Sequence, residues 1–303
     1  MNPIQQFSFV PNGPFNLLNQ TEYFGEWISP ANDPKTVVII FPVEGWQGSS
    51  AVLLSQTTKG IVEGRIFGPA RQANMAKEQA LSRLSLDVNG EGWPDVGKRD
   101  YIIGRLQQKY ECLRPVLFNS PYEAAAAFII GHRISIKQRI TIMARLSDDI
   151  GEKIFVEGEY FKAFPLPSIL LSLQQFRGLN EVKIGRLHAV ANAAVNGLLD
   201  RKKLREMPLE SALSSLRDLP GIGPFFAQGI LYRGAGLADT ITDDDVSRYA
   251  IKMAYGLSEP PDKETVLRIA EAWRPFRMWA LVLLHIWIRR EVGLPKMSAL
   301  GKY

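Results

Sequence analysis

Hydrophobic spacing divides this chain in two. Up to about residue 97 the apolar positions fall in short runs rich in β-branched residues: TVVIIFP (36–42), SAVLLSQ (50–56) and GIVEGRIFG (60–68). Runs of that length and composition predict strands. The last two flank TTKG (57–60), which predicts a hairpin turn. PARQANMAKEQALSRL (69–84) carries helical spacing, and DVNGEGWPDVG (87–97), dense in glycine, aspartate and proline, is expected to end a unit. Beyond it the period lengthens. KRDYIIGRLQQKYECL (98–113), SIKQRITIMARLSDDIG (135–151) and LNEVKIGRLHAVANAAVNGLL (179–199) predict amphipathic helices. SPYEAAAAFIIGHR (120–133) opens with Ser120 as N-cap, Pro121 at the first helical position and Glu123 at the third. WALVLLHIWI (279–288) predicts a buried helix, with Trp273 and Trp279 in the core. The pattern predicts a mainly α chain with a β-rich α+β N-terminal domain over 1–97 and a helical part over 98–303.

Composition narrows the chemistry. Of the 303 residues 46% are hydrophobic, enough for a real core. One cysteine, Cys112, excludes disulfide frameworks, thiolate zinc sites and iron–sulfur clusters within a single chain, and a reducing cytoplasm is expected. His132, His188 and His285 do not pair at metal-ligand spacing. The opening MNPIQQFSFVPNGPF lacks a cationic start and an apolar stretch, so no signal peptide is expected. No apolar run approaches the ~18–20 residues of a membrane span. A net charge of +5 suits a polyanionic partner without requiring one. The basic stretch DRKKLRE (200–206) reads as a charged connector, either solvated or touching such a partner.

Residues 209–236 carry more information. LESALSSLRDLPGIGPFFAQGILYRGAG reads as helix, tight turn, helix. The first helix ends near Asp218, since Pro220 cannot continue it. Gly221 and Gly223 allow backbone angles that side chains disfavour and let another backbone come close. Pro224 opens the second helix, whose free N–H groups form an anion cradle that a DNA phosphate fits without sequence reading. A plain helical hairpin is the simpler alternative. Shortly afterwards DTITDDDVSRY (239–249) sets three aspartates in a basic chain. Capping explains them most simply, with Thr242 as N-cap and acids in a first turn.

Taken together, LPGIGPFFAQGILYRGAG, Asp245 and AEAWRPFRMWA (270–280) resemble the helix-hairpin-helix DNA glycosylases, and among them the 3-methyladenine DNA glycosylase II branch. FVPNGPFNLLNQTEYFGEW (9–27) is similar to that branch's β-rich N-terminal domain, and SPYEAAAAFIIGHRISI (120–136) to the helix and wedge loop that open its helical core. The resemblance implies a core of two helical subdomains with a cleft between them, plus a small β-sheet domain. The helix-hairpin-helix would lie at about 209–233, with Pro220, Gly221, Ile222 and Gly223 on phosphate. The family's catalytic aspartate follows the hairpin by about two dozen residues, and an ungapped count from Gly221 gives Asp245. Asp243 and Asp244 are then expected to cap the helix or face solvent, and either would replace Asp245 if the register shifts.

By the same resemblance, Phe225 stands where lyase members carry a nucleophilic lysine, which implies water as the nucleophile. Phe225 either lines the base pocket or packs. His132 and Arg133 occupy the positions of a pocket glutamine and of the wedge that fills the gap left by a flipped base. His285 falls where an aromatic wall is expected, with Trp287 nearby, and both are pocket candidates. Backbone carbonyls of Arg217, Leu219 and Gly221 would hold a structural Na+ or K+, and no catalytic cofactor is implied. The expected partner is damaged double-stranded DNA, met by a monomer that does not engage a membrane, with alkylated purines as the excised bases. An 8-oxoguanine-type glycosylase and a lesion-binding protein without catalysis are the alternatives.

Overall fold

The computed structural model describes residues 2–25, 29–30 and 33–294. Glu26 and Trp27, the end of the stretch 9–27 quoted above, lie outside them. The strands are β1 (Gln5–Phe9), β2 (Ser29–Pro30), β3 (Thr36–Pro42), β4 (Ser49–Gln56), β5 (Val62–Phe67), β6 (Lys153–Val156) and β7 (Glu159–Lys162). The first helices are α1 (Leu17–Phe24), α2 (Ala73–Arg83), α3 (Trp93–Arg99), α4 (Tyr101–Lys109), α5 (Pro121–Gly131), α6 (Ile136–Ile150) and α7 (Pro167–Leu171). They are followed by α8 (Glu181–Val195), α9 (Arg201–Glu206), α10 (Leu209–Arg217), α11 (Pro224–Gly229), α12 (Asp245–Tyr255), α13 (Lys263–Ala270) and α14 (Arg277–Trp287). Among the described residues, no helix is long and apolar enough to cross a membrane.

The chain forms two compact units, each assembled from separated segments. One comprises Met1–Phe9, Ser29–Asp87 and Leu117–Gly236; the other comprises Val10–Ile28, Val88–Val116 and Leu237–Tyr303. Residues 1–97 therefore contribute to both units. The chain passes from one to the other at 87–88, where the Gly/Asp/Pro-rich stretch begins.

The first unit holds an antiparallel sheet in the order β1-β5-β4-β3-β2. Thr57 and Gly60 close the β4–β5 turn, with Gly60 in the left-handed region (φ +81°). The β6–β7 ribbon packs Ile154 and Val156 against Val38, Leu53 and Phe67 of the sheet. Ser120 caps α5 by accepting from the Glu123 N–H, as its sequence predicts. The buried Arg201 guanidinium donates to Glu44, Ser82 Oγ and the Asn119 carbonyl. Within the stretch 200–206 Asp200 caps a short helix, α9, so it is not a bare connector. One of its basic residues is a core strut, because a buried guanidinium must find acceptors for its donors.

The second unit is helical. The helix expected over 98–113 is two helices: the Asp100 carboxylate accepts from the Ile102 and Ile103 N–H groups and starts α4 afresh after α3. The same carboxylate accepts from Trp273 Nε1 at 2.9 Å and from the Tyr255 hydroxyl. Trp273 and Trp279 are fully buried, as expected. Trp279 packs edge-on against Trp93 and beneath the buried Arg114, whose guanidinium donates to the carbonyls of Asn12, Pro14 and Val88.

Candidate active site

In the first unit the helical hairpin is α10, a turn at 218–223, and α11, which runs on through a wider turn to Ala235. Gly221 adopts φ +85°, and a Cβ there would lie 2.7 Å from the Arg186 side chain of α8. Gly223 is extended (φ −85°, ψ −179°), and a Cβ on it would meet open space. The left-handed requirement read for both glycines therefore falls on Gly221 alone, and Gly223 leaves room beside the exposed start of α11. Ile222 anchors the turn in the core, while Pro220 is exposed. The Arg217 carbonyl ends α10, and those of Leu219 and Gly221 lie in the turn that follows. That of Leu219 accepts the Ile222 N–H and keeps a second lone pair.

Aromatic rings gather beside the hairpin. Phe226 stacks on Phe128 at 5.0 Å, and His132 meets Phe226 edge-on at 5.9 Å. Phe225 lies 6.4 Å from Phe128 and keeps 44% of its surface exposed. α11 comes this close to α5 because Gly229 has no Cβ; one there would lie 2.3 Å from the Phe128 ring. Arg133 projects from the loop after α5, exposed and with φ +59°. Lys183 Nζ donates to the Ile130 carbonyl at 2.7 Å, at the end of α5. Burial and the charges of Arg133, Arg186 and Lys183 push the His132 pKa down, so its neutral form is favoured. His132, Arg133 and Phe225 thus share one aromatic, cationic neighbourhood with Phe128, Lys183 and Arg186, three residues that periodicity did not single out.

In the second unit the three aspartates have three different roles. Asp244, not Thr242, is the N-cap of α12: its Oδ1 accepts from the Val246 and Ser247 N–H groups at 3.0 Å. Its Oδ2 accepts from Ser247 Oγ at 2.7 Å. Thr242 Oγ1 lies 3.1 Å from the same Ser247 hydroxyl. Asp243 forms a two-pronged pair with Arg248 at 2.7 and 2.9 Å. Asp245 is the first residue of the helix. Upstream, Asp239 accepts from Arg274 and Arg277, each at 2.7 Å, and ties the start of the loop down.

His285 of α14 completes the cluster, its Nε2 3.1 Å from Ser247 Oγ. Burial works to raise the Asp244 pKa. The His285 charge, the Ser247 hydroxyl and N–H, and the Thr242 hydroxyl outweigh it and hold the carboxyl below its ordinary value. The depressed pKa contributes stability above the unfolded value of about 3.9, and that contribution is lost as pH falls through the folded value. Trp287, the other pocket candidate on this helix, lines a separate cavity of about 110 Å³ with Ile102, Leu106, Ala254 and Glu291. Ser247 was not picked out from the sequence. Its signal is a hydroxyl on the buried face of α12, in line with Ala250 and Ile251.

No protein-family model matches the chain. It is 30% identical over 189 residues to DNA-3-methyladenine glycosylase 2 of Escherichia coli, a match covering 61% of this chain and 63% of that relative. In fold it is similar to a 3-methyladenine DNA-glycosylase from Archaeoglobus fulgidus, with a TM-score of 0.79 and 19% identity over 95% of this chain and all of the other. It also resembles a Clostridium acetobutylicum 8-oxoguanine glycosylase/lyase solved with double-stranded DNA, with a TM-score of 0.70 and 15% identity over 96% of this chain and all of the other. The hairpin, the helical architecture with its small antiparallel sheet, and these likenesses agree: the chain has the fold of the helix-hairpin-helix DNA glycosylases and is similar in sequence to DNA-3-methyladenine glycosylases.

Proposed function

We propose that this protein is a monofunctional DNA glycosylase of base excision repair that hydrolytically releases alkylated purines, of the 3-methyladenine and 7-methylguanine type, from duplex DNA. The observation that carries the reading is a carboxylate immobilised and kept ionised at a helix N-terminus. Breaking the bond between base and deoxyribose builds positive charge on the sugar, as in glycoside hydrolysis. A fixed anion stabilises that charge without having to reorganise, and it orients or deprotonates the attacking water.

Within the turn the count from Gly221 favours Asp245, and the hydrogen bonds favour Asp244. We take Asp244 as the acting group, because preorganisation is what the chemistry requires. The Val246 and Ser247 N–H groups and the Ser247 and Thr242 hydroxyls all bear on this carboxylate and fix its orientation at the mouth of α12. The hairpin would hold the strand by its phosphates, with the Arg217, Leu219 and Gly221 carbonyls keeping a monovalent ion there to add positive charge. Arg133 would fill the gap left by the flipped base. Phe225 and the rings behind it suit a base made cationic by alkylation, since an aromatic face attracts a cation.

The 8-oxoguanine glycosylase/lyase fold match supplies the rival substrate. That reading needs an amine where this chain has Phe225. Borohydride reduction during turnover separates the two. Methylated duplexes are expected to lose bases with no protein–DNA adduct. An adduct trapped on an 8-oxoguanine duplex would replace the proposal with a lyase.

A further inference from the structure

We infer that His285 is a positioning residue for the Asp244 carboxylate, acting through Ser247, rather than the wall on which the base stacks. The inference rests on the reading above, in which the 243–245 turn works on the sugar, and it concerns how that carboxylate is held.

The geometry is a chain of three groups on two helices. His285 Nε2 meets Ser247 Oγ at 3.1 Å, and Ser247 Oγ donates to Asp244 Oδ2 at 2.7 Å. Ser247 is fully buried, so its hydroxyl has no solvent to turn to. A hydroxyl has a single proton, and here Asp244 takes it. The contact with His285 then runs the other way, with Nε2–H donating to the Ser247 lone pair. That assignment fixes the ring's tautomer or charge state and polarises the hydroxyl toward the carboxylate. An edge nitrogen engaged this way commits the imidazole to the α12 N-terminus. Trp287, two residues on, lies at a different cavity and does not substitute for it.

Charged groups around the carboxylate come from each packed element. α12 supplies Asp245 and Arg248, the latter paired with Asp243 of the preceding loop. The C-terminal extension of α14 supplies Arg289, on which the Asp244 charge acts. Within this set the His285 charge favours the ionised form of Asp244, and its ring orients that carboxylate through Ser247. Removing its charge moves the protonation of Asp244 to higher pH.

The test compares His285→Phe with His285→Gln in single-turnover excision from a duplex methylated with dimethyl sulfate, across pH. Binding to an abasic-analogue duplex and thermal unfolding are followed in parallel. Phenylalanine keeps the aromatic face and loses the donor; glutamine keeps a donor and loses the face. The inference expects His285→Phe to lose about tenfold to hundredfold in rate, the scale of a hydrogen bond to a charged network. It expects His285→Gln to recover most of that loss. In both variants the acid limb of the profile should move to higher pH, with binding little changed. A stacking wall gives the reverse order, with His285→Phe active, His285→Gln impaired and the limb unmoved, and that overturns the inference while leaving the glycosylase reading intact. Wild-type protein that releases no base overturns both.

Discussion

Asp244→Asn is expected to lower excision of alkylated purines by at least about a hundredfold, the scale of losing a preorganised charge or a general base. The substitution is close to isosteric, and asparagine is itself a good N-cap, so folding stability should change by no more than about 1 kcal/mol. Binding to an abasic-analogue duplex should persist, because only a negative charge is removed. Asp245→Asn is expected to cost much less, since Asp245 is the first helical residue and the cap bonds belong to Asp244. The comparison decides between the sequence count and the hydrogen-bond pattern. If Asp245→Asn is the inactive variant and Asp244→Asn retains its rate, the assignment moves one residue along and the account of the cap becomes purely structural.

The hairpin glycines give the second large effect, and they should behave differently from each other. Gly221→Ala forces a side chain into a left-handed conformation at about 1–2 kcal/mol and drives a Cβ into Arg186, so both stability and DNA affinity should fall. Gly223→Ala has no such conflict: its backbone is extended and the space beside it is open. Its unfolding midpoint should stay near wild type while affinity for duplex DNA drops by about tenfold, or 1.4 kcal/mol, because the new methyl would stand in the way of the phosphate contact proposed for the hairpin. Fluorescence anisotropy at two salt concentrations and a thermal melt measure both quantities. Unchanged binding by Gly223→Ala would remove the hairpin from the DNA contact.

Local chemistry made much of this legible in advance. The strands over 36–42, 50–56 and 60–68 were readable because β-branched runs between turn signals have few other uses. The helix starts at Ser120 and Pro224 were readable because Ser120 satisfies an N–H three residues on, and a proline loses nothing by lacking an N–H at a first helical position. Failures came where a distant partner decides. Asp100 breaks the predicted 98–113 helix, and its role depends on Trp273 and Tyr255, more than 150 residues away. Arg201 sits in a charge run yet is a core strut because Glu44, Ser82 and Asn119 converge on it. Thr242 and Asp244 are equally good caps on paper, and the buried Ser247 selects Asp244. Ser247 carries no signal of its own in the sequence, and only the packing of α14 against α12 reveals its contact with His285.

The most direct test of the central claim is mass spectrometry of the bases released when purified protein is incubated with methylated duplex DNA. The account predicts free 3-methyladenine and 7-methylguanine from the wild-type protein, and neither above background from Asp244→Asn. Release of no base by the wild type, or equal release by the two proteins, would contradict it.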